Sequence, residues 1–188
     1  MKVAESGMPN EKLWRTFFKP EAILRKMGVS RKLKDIADFG SGYGTFTLPA
    51  ARIVSGTIYA IDIEKGLVES LRDKVKAEGI MNVKPLCKDI EAEGTGLKGD
   101  SVDYAIMFNI LHGNHAKGIL KEACRILKPE ARAGIIHWNY DPATPRGPPM
   151  EIRLKPEQIM KTAEEAGFRV KARIDLKPHH YGIMLQKR

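Results

Sequence analysis

The chain has 188 residues, 43% apolar and 29% charged, a size and balance suited to one globular domain with a real core. No apolar run approaches the roughly 20 residues that a membrane-spanning helix needs, and the isolated Cys87 and Cys124 make neither a disulfide framework nor a metal site. The net charge of +9 admits an anionic partner such as RNA, but Lys and Arg are spread among Asp and Glu, and the densest basic stretch, residues 25–34, has no interleaved aromatics. Residues 1–18 lack the apolar segment of a secretory signal, so a cytoplasmic location is the expectation.

In chain order, a short N-terminal helical section (residues 1–33) carries Trp14, Phe17 and Phe18. Residues 34–39 read as a first strand, followed by a Gly-rich turn and a helix over 46–54, with Pro49 in its first turn and Gly56 past its end. Residues 57–62 form a second strand. Leu67, Val68, Leu71 and Val75 then recur at helical spacing until Gly79. Residues 83–87 are a third strand, and Pro85, which cannot donate to a ladder, puts it at a sheet edge. Residues 102–108 form an apolar central strand, and Ile119, Leu120, Ala123, Cys124 and Leu127 mark a helix closed by Pro129. Residues 133–138 are a fifth strand, followed by a Pro-rich loop at 141–149. That loop, with Arg146, reads either as a lid over a substrate or as a rigid connector. A helix from Pro156 to Gly167 turns Ile159, Met160, Ala163 and Ala166 inward.

The ending differs in kind. Phe168, Val170, Ala172, Ile174 and Leu176 alternate with Arg169, Lys171, Arg173 and Asp175, the period of a half-exposed strand. The turn at 177–180 is too short for a parallel crossover, so residues 181–186 pair antiparallel with it. The pattern predicts a mostly parallel α/β sheet with one antiparallel C-terminal hairpin.

Asp38-Phe39-Gly40-Ser41-Gly42-Tyr43-Gly44 joins the first strand to the first helix. Glycines accept the positive φ of so tight a turn and let main-chain N–H groups approach a ligand. Asp62 ends the second strand, where an acid can accept both ribose hydroxyls of a nucleoside, although it also suits a helix N-cap. No lysine follows Gly44, so this is not a phosphate-binding P-loop, and Thr45 stands where a dinucleotide fingerprint has its third glycine. An acid at Asp38 suits a ligand that carries an ammonium group and repels a pyrophosphate. A nicotinamide-dependent dehydrogenase is disfavoured on both counts.

On these residues the chain resembles the class I S-adenosylmethionine-dependent methyltransferases over nearly its whole length. Asp38 to Gly44 matches the family's first motif, Asp62 its ribose acid, and Asp89 the residue after the third strand that meets the adenine amino group. Ser101-Val102-Asp103-Tyr104, Asn109-Ile110-Leu111-His112 and Leu127-Lys128-Pro129 also fit, while Glu130-Ala131 replaces a common Gly-Gly at a surface turn. The resemblance is strongest to small-molecule methylases related to quinone biosynthesis. The Asn/Asp-Pro-Pro-Tyr signature of amino-group methylases and the cysteines of arsenite methylases are missing.

The resemblance implies a Rossmann-like three-layer sandwich whose seven-stranded, mostly parallel sheet has the order 3-2-1-4-5-7-6 with strand 7 antiparallel, all in one domain spanning residues 1–188. It implies S-adenosylmethionine as cofactor, held by Asp38, Gly40, Ser41, Gly42, Gly44, Asp62, Ile63, Asp89, Ile90 and Asn109. Asn109 and His112 border the transferred methyl group, and His112 is a candidate general base. His137, Trp138 and Tyr140 face the same crevice or simply pack. Adjacent His179 and His180 rarely converge on one ion, and no metal is expected. The expected acceptor is a small molecule; RNA or protein methylation and a noncatalytic S-adenosylmethionine-binding module are the alternatives.

Overall fold

All four positions of β1 (Ile36–Phe39) are buried, because β1 lies inside the sheet and is covered on both faces. The computed structural model describes residues 10–144 and 147–188; Arg146 and the first nine residues of the N-terminal section lie outside them. β1 pairs in parallel with β2 (Ile58–Asp62) and β4 (Val102–Phe108). β2 pairs with β3 (Val83–Cys87), and β4 with β5 (Leu127–Trp138). β7 (His180–Lys187) lies antiparallel between β5 and β6 (Phe168–Leu176). The order is β3-β2-β1-β4-β5-β7-β6, as the sequence implied, with Pro85 on the edge strand.

Alternation along the strands divides the core into two layers. Ile36, Ile58, Ala60, Tyr104, Ile106 and Phe108 face one side, where α1 (Glu11–Trp14), α2 (Pro20–Lys26), α3 (Thr47–Ala51) and α4 (Lys65–Ala77) pack. Ala37, Phe39, Ile61, Ala105 and Met107 face the other side, with α6 (Ala116–Ile126) and α7 (Pro156–Glu165). A further helix, α5 (Ile90–Glu93), follows β3 and was not expected from the sequence. Tyr104 is fully buried, and its hydroxyl donates to the Met27 carbonyl, tying β4 to the end of α2.

Beyond shifts of one or two residues at strand ends, three features depart from the sequence reading. α3 stops at Ala51 rather than 54, where the last turn tightens and Arg52 and Ile53 bond three residues back to Pro49 and Ala50. β5 begins at Leu127 rather than 133. Pro129 forces the preceding residues out of the helical region, so Leu127 leaves α6 in extended geometry and pairs with Val102. The alternation of β6 does not keep one apolar face. Lys171 is an extra residue between the Val170–Leu185 and Ala172–Met184 pairs. Phe168 and Val170 therefore join the layer of α6 and α7, while Ile174 and Leu176 join the layer of α2.

Candidate functional site

The Gly-rich turn leaves β1 at the carboxyl end of the parallel strands, where α/β sheets present their crevice. Gly40, Gly42 and Gly44 have φ of +69°, +53° and +79°. A Cβ on Gly40 would stand 2.6 Å from Ile110 Cδ1, so a side chain there is excluded by space as well as by φ. The turn is fastened to β2: Gly40 and Ser41 N–H donate to the Ile61 carbonyl at 2.8 and 3.0 Å. Gly42 N–H donates to Asp62 Oδ2 at 2.8 Å, and Glu64 N–H to Asp62 Oδ1 at 3.0 Å. Burial nevertheless raises the Asp62 carboxyl above its ordinary value.

Asp38 is buried at the end of β1. The Thr47 hydroxyl donates to its Oδ2 at 2.6 Å, a partner the sequence reading missed. Burial pushes Asp38 up to about 7, against the pull of Thr47 and with added repulsion from Asp62. Asp89 is the N-cap of α5: its Oδ1 accepts from Glu91 and Ala92 N–H at 3.0 and 3.2 Å.

Two compartments meet over this turn. One, a cleft with a cavity volume of about 90 Å³, is lined by Asp62, Ile63, Asp89, Ile90, Glu91 and His115. His115 Nδ1 meets Glu91 Oε2 at 2.6 Å at its mouth. The other has a cavity volume of about 50 Å³ beside Asp38, Ser41 and Thr45 and is walled by Trp14, Phe46, Phe108 and Trp138. Gly40, Gly42, Asn109 and His112 line both. The aromatic wall unites residues far apart in sequence: Trp14 and Trp138 centroids are 6.4 Å apart, Phe46 and Phe108 4.8 Å. Tyr140, which the sequence placed with Trp138, is 46% exposed and lines neither compartment.

At the junction, Asn109 holds φ +56°. Among the described residues, its side-chain amide has neither donor nor acceptor satisfied, and the buried Ser41 and Thr45 hydroxyls are likewise without partners. Buried polar atoms of this kind are costly unless a ligand answers them. His112 is buried beside them, but both ring nitrogens face protein groups. Nε2 lies 3.0 Å from the Asn109 carbonyl and Nδ1 lies 3.2 Å from His137 Nε2. Burial first, then His137, pushes His112 down to about 3. As a base His112 would have to abandon one of these contacts, which weighs against the role the sequence suggested.

The sheet order, the Gly-rich turn against Asp62 and the two-part cleft define a class I S-adenosylmethionine-dependent methyltransferase. The model of the family described as "Methyltransferase domain" matches residues 36–130, half of the chain, and the chain belongs to that family. No functionally curated protein matches. Among solved structures, a SAM dependent methyltransferase from Aquifex aeolicus superposes with a TM-score of 0.81 at 24% identity, covering 95% of this chain and 94% of that one. A protein assigned to the type 11 methyltransferases of Sulfolobus solfataricus gives 0.68 at 26% identity, over 82% and 85%. The [4+2]-cyclase SpnF gives 0.75 at 16% identity, over 89% and 80%, a likeness of fold alone. The enzyme class carries S-adenosylmethionine as its cofactor, and the unsatisfied groups at Ser41, Thr45 and Asn109 fit an amino-acid nucleoside laid across the turn. Among the described residues, no group of three or more His, Cys, Asp or Glu side chains is placed to hold a metal, and no helix is long and apolar enough to cross a membrane.

Proposed function

We propose that the chain, acting as one domain in the cytoplasm, transfers the methyl group of S-adenosylmethionine to a small-molecule acceptor. The observation that carries this reading is the junction at Asn109, where a compartment lined by Asp62, Asp89 and Ile90 meets a confined, aromatic-walled one.

In this reading Asp62, fixed by Gly42 and Glu64 N–H, accepts the ribose hydroxyls, while Ile63 and Ile90 flank the adenine. Asp89 receives the adenine amino group, the cap bonds falling on its Oδ1. Asp38 takes the ammonium and Gly40, Ser41, Gly42 and Gly44 admit the methionine portion along the main chain. The bound cofactor supplies a methyl already activated by its sulfonium. The protein then contributes position: Asn109 holds the cofactor at the junction and orients the nucleophile, and Trp14, Phe46, Phe108 and Trp138 exclude water. Such positioning supplies about 7–11 kcal/mol of a barrier when the reacting atoms are held near 3 Å.

The net charge of +9 favours RNA as a second reading. The confined second compartment favours the small molecule.

The first experiment is thermal unfolding with S-adenosylmethionine, S-adenosylhomocysteine or NAD. A ligand at 100 times its Kd stabilises by about 2.7 kcal/mol. Stabilisation by the adenosyl compounds, lost in Asp62→Ala, supports the cofactor site; a response to NAD alone overturns it. Isotope-labelled methyl transfer into the low-molecular-weight fraction of a cell extract, rather than its RNA, decides the acceptor class.

A further inference from the structure

His112 and His137 come from separate strand ends, after β4 and on β5. The pairing of Phe108 with Ile136 carries them side by side. Both are buried, at 2% and 0% exposure, and their rings meet edge to face with centroids 5.1 Å apart. At that burial the ring protons are matched chiefly to protein groups.

Three contacts run in a line. Each end of the line is a carbonyl, which only accepts, so a neutral pair satisfies one end; the shorter contact, 3.0 Å from His112 Nε2 to the Asn109 carbonyl against 3.2 Å from His137 Nδ1 to the Trp138 carbonyl, puts the proton on His112 Nε2. In a neutral ring Nδ1 is then bare, and His137 Nε2, 3.2 Å away, supplies its hydrogen. His137 Nδ1 is left facing the Trp138 carbonyl at 3.2 Å. A third proton there would complete the line and make the pair cationic. Burial opposes that charge first, and Arg153 adds to the opposition, while the Trp138 and Leu111 main chain favours it. The other titratable groups around the pair are His115, His180 and Tyr181, whose ring lies 5.9 Å from that of His137. None of them is a carboxylate that would balance an imidazolium.

The far end of the line is Asn109. Its N–H is bound to the Ile136 carbonyl at 2.7 Å and its carbonyl to His112, so both main-chain groups of this left-handed residue are held. Its side-chain amide is thereby presented, unpartnered, at the meeting of the two compartments. We propose that His137 and His112 form a neutral, one-way hydrogen-bond chain that positions Asn109, and that neither is the base for the acceptor. This rests on the reading of the cleft given under Proposed function.

The test needs no acceptor. In protein labelled with 15N-histidine and saturated with S-adenosylhomocysteine, long-range nitrogen–proton correlation spectra identify the tautomer of each ring. Both His112 and His137 should be Nε2-protonated and neutral from about pH 5 to about pH 8, where an ordinary histidine titrates. An Nδ1-protonated His112, or a midpoint for either ring within that span, overturns the proposal. Calorimetry with S-adenosylhomocysteine adds a second readout. His112→Ala and Asn109→Ala should each weaken binding about tenfold, the scale of one lost hydrogen bond. The double variant should bind no more weakly than Asn109→Ala, because His112 acts only through Asn109. His112→Gln, which keeps a donor for the Asn109 carbonyl, should recover binding. Additive losses, or no recovery with Gln, sink the proposal. If Asp62→Ala leaves binding intact, the cleft reading itself has failed.

Discussion

The main-chain amide of Gly42 donates to Asp62 Oδ2 across 2.8 Å, so the Gly-rich turn and the acid that ends β2 are one rigid unit. In its proposed role Asp62 therefore presents a carboxylate whose direction is set before any ligand arrives. Replacement by Asn keeps the shape but leaves only one oxygen to accept from Gly42 and Glu64. One buried N–H then lacks a partner, at about 1–3 kcal/mol. Asp62→Asn should lower the melting temperature of the free protein and weaken S-adenosylhomocysteine binding, as read by calorimetry and thermal unfolding.

Asp38 gives a pH signature. Burial pushes its carboxyl from an ordinary 3.8 up to about 7. Between those values the folded chain keeps a proton that the unfolded chain has released. The contribution of Asp38 to stability therefore falls as pH rises through this window and levels off above about 7. Urea unfolding at several pH values should show Asp38→Asn removing that slope. Binding of a ligand that brings an ammonium to Asp38 should tighten as pH rises toward 7 and release a proton, measurable in buffers of different ionisation enthalpy.

Glu130 holds φ +61°, and its exposed carboxylate approaches Arg169 only at 3.7 Å. The left-handed region costs a side chain roughly 1–2 kcal/mol, whereas an exposed ion pair contributes at most about 1 kcal/mol. Glu130→Gly should be neutral to stabilising by up to about 1 kcal/mol in urea unfolding, and Glu130→Val should destabilise.

A Cβ on Gly134 would overlap the Tyr104 hydroxyl, which is itself held by the Met27 carbonyl. Gly134→Ala should destabilise by about 2–3 kcal/mol, as overpacking does. Adding Tyr104→Phe should recover part of that loss, although Phe alone strands the Met27 carbonyl at about 1–3 kcal/mol. A double-mutant cycle in urea that is strictly additive would sink this account.

What the sequence disclosed follows from which interactions are local. Pro85 located an edge strand because a missing N–H acts wherever the strand is placed. Asp38, Gly40 and Asp62 were legible because the turn and its acid need those residue types at that spacing. The β6 alternation was legible but misleading, since its period is unbroken in sequence while the extra Lys171 turns the second half over. The start of β5 was hidden because Pro129 and Glu130 read as a turn. The His112–His137 contact spans 25 positions and exists only through the β4–β5 register. The assumed adjacency of strands 4 and 5 held that signal, since parallel neighbours bring their carboxyl ends together. Trp14, Phe46, Phe108 and Trp138 form one wall only once α1, α3, β4 and β5 are packed. The likeness to the [4+2]-cyclase SpnF shows that the fold alone does not name a reaction.

β7 is made after every other strand, yet it lies inside the sheet, with a ladder to β5 on one side and to β6 on the other. During synthesis β5 must therefore wait with an open edge from Arg132 to Trp138, and β6 emerges with no strand beside it. Such an edge is a template for pairing with another chain. The domain is thus exposed to misassembly until residues 180–187 leave the ribosome, and a chain cut short before Tyr181 should accumulate as aggregate rather than as a shorter folded protein.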